Sequence, residues 1–432
     1  CNTVILIAGE KPADKQKAGA GIAYAMRAMF YMDLARMYAP KTYAEDKNSP
    51  TVPKITEKAV EDMYNNPRMT NEEIFAFILS DLDKAEEYIA GYKRADKYTP
   101  DLSVVYGLKA RAYLTMADWP NAEKYAKLAQ QGYTEMTGEE YTSKTLGFNT
   151  ANGAWMFATR FKSDDPNLRL NDSDSSWGSH MITEIGGSKG DCGYASNYGY
   201  PLLIDRHLYE TIPATDFRKN CFVDFEIDKL ATNSEKLAAM EKYSNEPSYV
   251  LKTGLSTATY GHKVGGLPVK FRPKNGACDQ PLAVAAAVDV PLMRVEEMKL
   301  IEIEAVGRQN EAKGIEMLTA FAKKRDPQYQ YGTHNEAYGN TETSAFVNEV
   351  WWQRRVEFWG EGFATFDIKR LKKGIIRSYA NTNHFAGFQW NSTETPKWMT
   401  LCIIGTEADV NKALVNNPIP EAPTTNSPQF AW

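Results

Sequence analysis

The sequence predicts an all-α fold in which a helical scaffold carries a large, irregular, loop-rich lobe. Apolar residues recur at steps of three and four near both ends of the chain, which is the spacing of one helix face. From about residue 136 to residue 290 this period fades, and Gly, Ser, Asn, Asp and Tyr dominate. The chain has 432 residues, of which 43% are hydrophobic and 24% charged, as in an ordinary globular protein.

Apolar stripes and helix-start signals locate the helices. The first stripe consists of Ala23, Met26, Phe30, Leu34 and Met37. Thr70 and Glu73 have the spacing of a capping box, which satisfies backbone N–H groups at a helix start. The predicted helices span residues 26–37, 74–89, 105–116, 122–129, 295–305 and 346–358. We expect their stripes to face one another across the two halves of the chain, with Phe30 and Leu108 buried.

Two helix pairs look like tetratricopeptide units, in which antiparallel helices meet through small residues. The first covers residues 108–126, and the second covers residues 294–322 with a turn at Asn310. Such a unit buries its apolar face only by stacking on its neighbours. We therefore expect one compact body, with a helical region at 1–135, a ligand-binding lobe at 136–290 and a second helical region at 291–432 that packs back on the first.

Charge and hydropathy exclude two classes of function. The net charge is -5 and no run of Lys and Arg forms the basic surface that a nucleic-acid-binding protein needs. The most apolar stretch, residues 281–293, is too short for a membrane span and is interrupted by Asp289 and Pro291. His and Cys residues lack metal-site spacing, so we expect neither a metal nor a cofactor.

The five cysteines have no spacing typical of a disulfide framework, and their odd number leaves at least one unpaired within the chain. Cys1 has two interpretations, a lipid-bearing first residue of a mature lipoprotein or an interior residue. We favour the second, because apolar residues 4–7 follow almost at once where a lipid anchor normally leads into a polar tether.

Several segments, in their order along the chain, resemble the SusD/RagB-like family. Residues 24–38 (YAMRAMFYMDLARMY) are similar to its early helix, and Val52-Pro53 and Thr56-Glu57 to its V-P-L-V-T-E. Residues 294–305 match R-x-A-E-x-L-L-x-x-A-E-A, and residues 354–370 match R-R-x-E-L-x-x-E-G-x-R-x-x-D-L-x-R. Residues 417–420 (NPIP) match the closing Y-P-I-P, so the resemblance covers nearly the whole chain.

The resemblance implies a SusD-like α/α superhelix and a non-catalytic protein that binds oligosaccharide. It also implies a lipid-anchored protein on the extracellular face of the outer membrane, which delivers glycan to a TonB-dependent, SusC-like barrel transporter. A peptide cargo, as in RagB-like relatives, is the alternative within the family. Residues 1–5 are similar to the interior of a family helix, so we expect the anchor and further structure to precede this sequence.

Aromatic and polar residues in the lobe are the first candidates for a glycan site. Rings cover the apolar face of a pyranose, while amide and charged side chains bond its hydroxyls. The candidates are Trp177, His180, Tyr194, Asn197, Tyr198 and Tyr200. A second candidate patch is Tyr329, Tyr331, His334 and Tyr338, and a third is Asn383, His384, Phe388 and Trp390. The alternative is that these rings only pin long loops to the body.

Three other readings remain open from the residues alone. Two of the carboxylates of Glu357, Glu361 and Asp367 could form the pair that a glycosidase needs, but nearby arginines favour an ion-pair network. Asp172 and Asp174 lie in a loop rich in oxygen ligands that could hold calcium, although the EF-hand pattern is missing. A tetratricopeptide scaffold would also suit an intracellular adaptor that binds peptides.

Overall fold

The computed structural model describes residues 1–58, 62–169, 176–185, 201–256, 263–421, 423 and 427–432. The helices are α1 Asn2–Ala8, α2 Asp14–Tyr38, α3 Asn71–Ile89, α4 Leu102–Met116, α5 Trp119–Ala129, α6 Gly138–Thr142, α7 Pro166–Arg169, α8 Trp177–Met181, α9 Arg206–Thr211, α10 Asn233–Met240, α11 Pro247–Ser256, α12 Leu282–Ala285, α13 Val295–Gln309, α14 Glu311–Lys323, α15 Ala345–Glu357, α16 Ala364–Arg370 and α17 Gly405–Val410. Short 3-10 helices span Met63–Asn65, Phe217–Cys221, Phe225–Lys229, Lys274–Gly276, Ala386–Phe388 and Lys397–Met399.

Strands are few and short in the described part of the chain. They are β1 Pro50–Pro53, β2 Arg68–Thr70, β3 Trp155–Arg160, β4 Asp289–Arg294, β5 Ile375–Ile376 and β6 Asn391–Ser392. Each pairs with one antiparallel partner, β1 with β2, β3 with β4 and β5 with β6. The longest pair runs from Trp155 opposite Arg294 to Arg160 opposite Asp289 and joins the start of the lobe to its end. The all-α prediction is confirmed.

Local sequence signals account for the helix starts. Thr70 and Glu73 form the predicted capping box, in which the Glu73 backbone N–H donates to the Thr70 hydroxyl at 3.2 Å. The Asp101 and Asp118 carboxylates accept from backbone N–H groups at the starts of α4 and α5. All six predicted helices are confirmed, and only Phe358 falls just outside, as the residue that caps α15. A cap satisfies backbone donors that have no partner within the helix, so it fixes where the helix begins.

The helices pack in a row that follows chain order except at one step. Contacts join α1 to α2, α2 to α3, α3 to α4 and α4 to α5, and then α5 to α13, α13 to α14 and α14 to α15. The contact between α5 and α13 unites the two halves of the chain, as the stripes predicted. Gly307 in α13 allows the close approach of α15, because a Cβ there would meet the Phe346 ring at 2.1 Å.

The face that α2 buries differs from the prediction. Phe30 is 48% exposed, and Leu34 and Met37 are also exposed. The buried face instead combines alanines and Arg27 with the larger Tyr24, Met29, Tyr31 and Met32. Two buried hydrogen bonds of 2.7 and 2.8 Å from Arg27 to the Asp81 carboxylate of α3 make this possible. The stripe of Phe30, Leu34 and Met37 was therefore the wrong indicator of the buried face, because small residues elsewhere on α2 let α3 approach closely and a paired charge can be buried.

The lobe contains a small core of its own. Its buried residues are Val223, Ile227, Met240, Tyr243, Val250, Leu251, Val264, Leu267 and Val269. Short helices interrupt the irregular backbone of this stretch, so it is less loop-like than its composition indicates. The division of the chain at residues 135 and 290 stays a prediction. Among the described residues no helix is both long and apolar enough to cross a membrane.

Candidate functional site

Residues 377–396, here the loop, connect β5 to the 3-10 helix Lys397–Met399 and include β6. This loop separates two open depressions. The first, here the lobe cleft, has a volume of about 570 Å³ and lies between this loop and the lobe. The second, here the tail groove, has a volume of about 1020 Å³ and is lined mainly by residues 390–398, 400, 417–421 and 423. The volume of the lobe cleft lies within the range of roughly 300–1,000 Å³ that is typical of small-molecule sites.

Asn383 ties the loop to the start of α9. Its side-chain oxygen accepts from the Arg206 backbone N–H at 2.9 Å, and its side-chain nitrogen donates to the Ile204 carbonyl at 2.9 Å. Next to it, the His384 ring lies 3.1 Å from the Asp205 carboxylate. Burial opposes the ionisation of Asp205, but hydrogen bonds from His384, Tyr379 and the Leu208 backbone outweigh it and lower its pKa. The loop is therefore held in one position against α9.

Charged groups line the opposite wall of the lobe cleft. The Arg206 guanidinium lies over the Phe225 ring at 5.1 Å and donates from Nε to Glu210 at 2.7 Å. The Asp228 carboxylate accepts from the backbone N–H groups of Val264 and Gly265, and Gly265 also lines the cleft. Because these contacts fix their side chains, the remaining guanidinium and carboxylate edges are preorganised for a polar ligand.

A ring supplies apolar surface beside these polar groups. Phe385 lines the lobe cleft and is 37% exposed. Gln389 lines the cleft too, and its amide N–H donates to the His384 carbonyl at 2.8 Å, which leaves its carbonyl oxygen as an acceptor. Phe388, in the same short helix turn, is 55% exposed but does not line the cleft. One exposed ring amid amides and charges matches what a sugar ring needs.

The tail groove shares the loop but has a different lining. The Trp390 and Trp398 rings meet edge to face at 5.7 Å, and Trp390 is the more deeply buried. Lys369 contributes an ammonium that donates to the carbonyls of Arg36 and Ala39 at the end of α2. Burial lowers the pKa of Lys369 to about 8. The third predicted patch is thus split, with Asn383 and His384 in the lobe cleft and Trp390 in the tail groove.

The first predicted patch is described only in part. Trp177 begins α8 and meets the Phe271 ring edge to face at 4.9 Å, within the main core. His180 is partly buried in the same helix. The other members lie outside the described residues, namely Tyr194, Asn197, Tyr198 and Tyr200. The contact of Trp177 favours the interpretation that its ring pins the lobe to the body, and contact with sugar stays a prediction.

The second predicted patch is largely internal. Tyr329 is buried and donates its hydroxyl to Glu349 at 2.8 Å. Tyr331 is partly buried against the C-terminal core. His334 lies flat on the Trp352 ring at 3.5 Å, and Tyr338 is buried. Most of these rings face other protein groups, which indicates a structural role.

The carboxylates considered for catalysis are buried in ion pairs. Glu357 lies 3.2 Å from Arg218 and 3.3 Å from both Arg294 and Arg325. These three arginines come from distant segments, whereas the expected partners were those close in sequence. Burial opposes ionisation of Glu357, but these arginines and Lys270 outweigh it and lower its pKa to about 2.

The neighbouring acids are paired as well. Glu361 lies 2.6 Å from Lys270 and 2.9 Å from Arg294, and Asp367 lies 2.7 Å from both Arg354 and Arg370. None of the three carboxylates has an open face for a sugar, so the ion-pair interpretation accounts for them. The described ranges contain no group of His, Cys, Asp and Glu that could hold a metal. Asp172 and Asp174 lie outside those ranges.

Several residues of the lobe cleft were not predicted from the sequence. Arg206, Asp228, Lys263 and Phe385 line it, but they come from separate segments and have no common spacing. Their only local signal was the cluster of Asn383 and His384 nearby. Such a site exists only through tertiary contacts.

Solved structures resemble this fold along nearly its whole length. A SusD-like carbohydrate binding protein from Bacteroides vulgatus superposes with a TM-score of 0.67 and 22% sequence identity, over 95% of this chain and 79% of that chain. The chain has a SusD-like fold. The resemblance predicted from the sequence is confirmed at this level.

Two further neighbours support the SusD-like assignment. A SusD superfamily protein from Bacteroides thetaiotaomicron has a TM-score of 0.64 at 16% identity, over 96% of this chain and 81% of that one. A SusD superfamily protein from Bacteroides vulgatus has a TM-score of 0.65 at 17% identity, over 96% of this chain and 80% of that one. In sequence, no family model and no curated protein matches the chain.

Proposed function

We propose that this SusD-like protein binds oligosaccharide without cleaving it, and that the lobe cleft is the binding site. The observation that carries the proposal is the exposed Phe385 ring in a cleft whose walls present the Arg206 guanidinium, the Asp228 carboxylate and the Gln389 amide. A ring and a set of fixed polar groups on one cleft suit the two kinds of surface that a pyranose has. The neighbour described as a carbohydrate binding protein supports the same ligand class.

The wider role that we propose is capture at the cell surface. The protein would sit on the extracellular face of the outer membrane through a lipid anchor and pass oligosaccharide to a TonB-dependent, SusC-like barrel transporter. The SusD-like fold supports this role by its resemblance. Purification of the natural full-length protein in mild detergent tests it, since a barrel transporter should be recovered with it. Repeated recovery as a lone species would contradict this part of the proposal.

Calorimetry on paired variants tests the binding site. Phe385→Ala removes the ring that lines the lobe cleft, and Phe388→Ala removes a comparable exposed ring that does not line it. An aromatic anchor at a binding centre typically contributes about 2 kcal/mol or more, so Phe385→Ala should weaken binding by about thirtyfold. Phe388→Ala should bind like the wild type, and equal effects of the two variants would contradict the site.

The panel of ligands distinguishes glycan from peptide cargo and binding from hydrolysis. We would use maltoheptaose, xylohexaose, mannohexaose and galacturonate oligomers, together with a mixture of short peptides. Binding of peptides alone would show that the cargo is peptide and not glycan.

Hydrolysis is tested separately. Overnight incubation with the oligosaccharides followed by a reducing-end assay should show no new reducing ends. Steady release of product would contradict a non-catalytic role.

A further inference from the structure

Residues 427–432, here the strap, lie across the loop that separates the two depressions. The Phe430 backbone N–H donates to the Ser378 carbonyl at 2.8 Å, and the Ser378 hydroxyl donates to the Ser427 carbonyl at 2.9 Å. The Asn391 side chain donates to the Pro428 carbonyl at 3.0 Å. Residues 428–432 are nonetheless exposed. An exposed segment held by a few hydrogen bonds is one that opens locally at low cost.

The strap inserts one ring into an aromatic slot. The Trp432 ring stacks on His207 with a centroid distance of 3.4 Å and an angle of 4° between the planes. Tyr338 and Tyr379 form the sides of the slot, at 5.0 and 5.9 Å from the Trp432 ring. Both tyrosines are buried, whereas Trp432 is 47% exposed. The slot is therefore a rigid part of the body, and its occupant is peripheral.

Carboxylates stand at the rim of this slot. Glu336 lies 2.5 Å from the His207 ring, and Asp205 accepts from the Tyr379 hydroxyl at 2.7 Å. The side chains of Glu336 and Asp205 are 24% and 23% exposed. Carboxylate oxygens accept hydrogen bonds from hydroxyl groups strongly. A flat ring with carboxylates at its edge is suited to a sugar ring as well as to the indole that now covers it.

The slot and the lobe cleft share a wall. His207 follows Arg206 of the cleft directly, and His384 of the cleft contacts the same Asp205 carboxylate that Tyr379 does. We propose that the slot is a second sugar subsite, continuous with the lobe cleft, and that the strap occupies it through Trp432 until an oligosaccharide displaces it. The ligand class is an oligosaccharide long enough to extend from the cleft into the slot, with a neutral sugar in the slot.

The inference rests on the proposed glycan function and gives it a regulatory element. If the slot is open only part of the time, the apparent affinity for a long oligosaccharide is reduced by that fraction. Removing the ring of Trp432 should therefore strengthen binding. A stacked aromatic pair contributes an energy that corresponds to a change in affinity of about threefold to tenfold.

Calorimetry with the panel named above compares the wild type with Trp432→Ala. The matched control is Trp398→Ala, which removes a partly exposed indole from the tail groove. We expect Trp432→Ala to lower the Kd of the best-binding oligosaccharide by about threefold to tenfold, and Trp398→Ala to leave it unchanged. Adding His207→Ala to Trp432→Ala should abolish the gain, because it removes the floor of the slot.

A second measurement needs no variant. Hydrogen exchange of the Phe430 backbone amide should become faster when the same oligosaccharide is bound to the wild type, since the strap would be released. This measurement tests whether ligand binding releases the strap even if Trp432→Ala does not fold. An unchanged Kd in a folded Trp432→Ala protein, or unchanged or slower exchange at Phe430, would overturn the inference while glycan binding by the wild type still stands. Absence of binding by both the wild type and Trp432→Ala would overturn the proposed function and the inference together.

Discussion

The Glu357 carboxylate lies 3.3 Å from the Arg294 guanidinium, and both groups are buried. Arg294 stands where β4 ends and α13 begins, and Glu357 is the last residue of α15. Their contact therefore joins the return of the lobe to the C-terminal helices. Arg218 and Arg325 reach the same carboxylate from two further segments. One acid thus fixes the positions of four parts of the chain.

Replacing Glu357 by Gln should destabilise the protein strongly. The change keeps the shape of the side chain but leaves three arginines near one uncharged group. Removing one partner of a buried ion pair typically costs about 3–5 kcal/mol. Urea unfolding measures the loss, with exposed Glu342→Gln as the control. A loss below about 1 kcal/mol would mean that the other acids compensate for Glu357.

His334 should make stability depend on pH in the weakly acidic range. Burial lowers its pKa to about 4, and its ring is stacked on Trp352. An unfolded histidine has a pKa of about 6.5, so the folded state holds fewer protons. The contribution of neutral His334 to the free energy of unfolding is complete above about pH 6.5. It is lost as the pH falls from about 6.5 to about 4, and the loss reaches about 3 kcal/mol.

The variant His334→Phe keeps a flat ring but cannot be protonated. Urea unfolding at several pH values between 7.5 and 4 should show a smaller decline in the free energy of unfolding for this variant than for the wild type. Carboxylates such as Glu357 add their own decline only below about pH 5, where the unfolded carboxyl begins to bind protons while the folded pKa stays at about 2. Parallel curves for the two proteins would contradict the role of His334.

The buried face of α2 and α4 can be tested with two truncations. Leu108 is fully buried, whereas Phe30 is largely exposed. Leu108→Ala should lower the free energy of unfolding by about 2–5 kcal/mol, because it leaves a cavity. Phe30→Ala should change it by about 0.5 kcal/mol or less, as at other surface positions. Similar thermal melting shifts for both variants would show that Phe30 has a packing partner in solution.

Trp177→Ala separates the two roles considered for that ring. The edge-to-face contact with buried Phe271 leads us to expect a loss of about 3 kcal/mol, the lower end of the range for a core ring, since Trp177 is only partly buried. Glycan binding at a temperature where the variant is folded should be retained. An unchanged melting temperature together with lost binding would instead support a direct contact with sugar.

Local chemistry determined the helices and their limits in this protein. Thr70 with Glu73 needs only the adjacent turn to act as a cap, and the apolar period of α4 needs only the helix itself to place Leu108 on one face. The order of such segments was enough to indicate the SusD-like fold. The positions of the helices could be predicted because hydrogen bonds within a helix join residues four apart.

Only the tertiary structure decided which faces and side chains meet. Arg27 is buried on α2 because Asp81 of α3 pairs with it, and Glu357 is paired mainly with arginines outside its own helix. The lobe cleft joins Arg206 to Asn383, which are far apart in sequence. Pairs of this kind have no fixed spacing, since their contact depends on how the whole chain closes rather than on a local period.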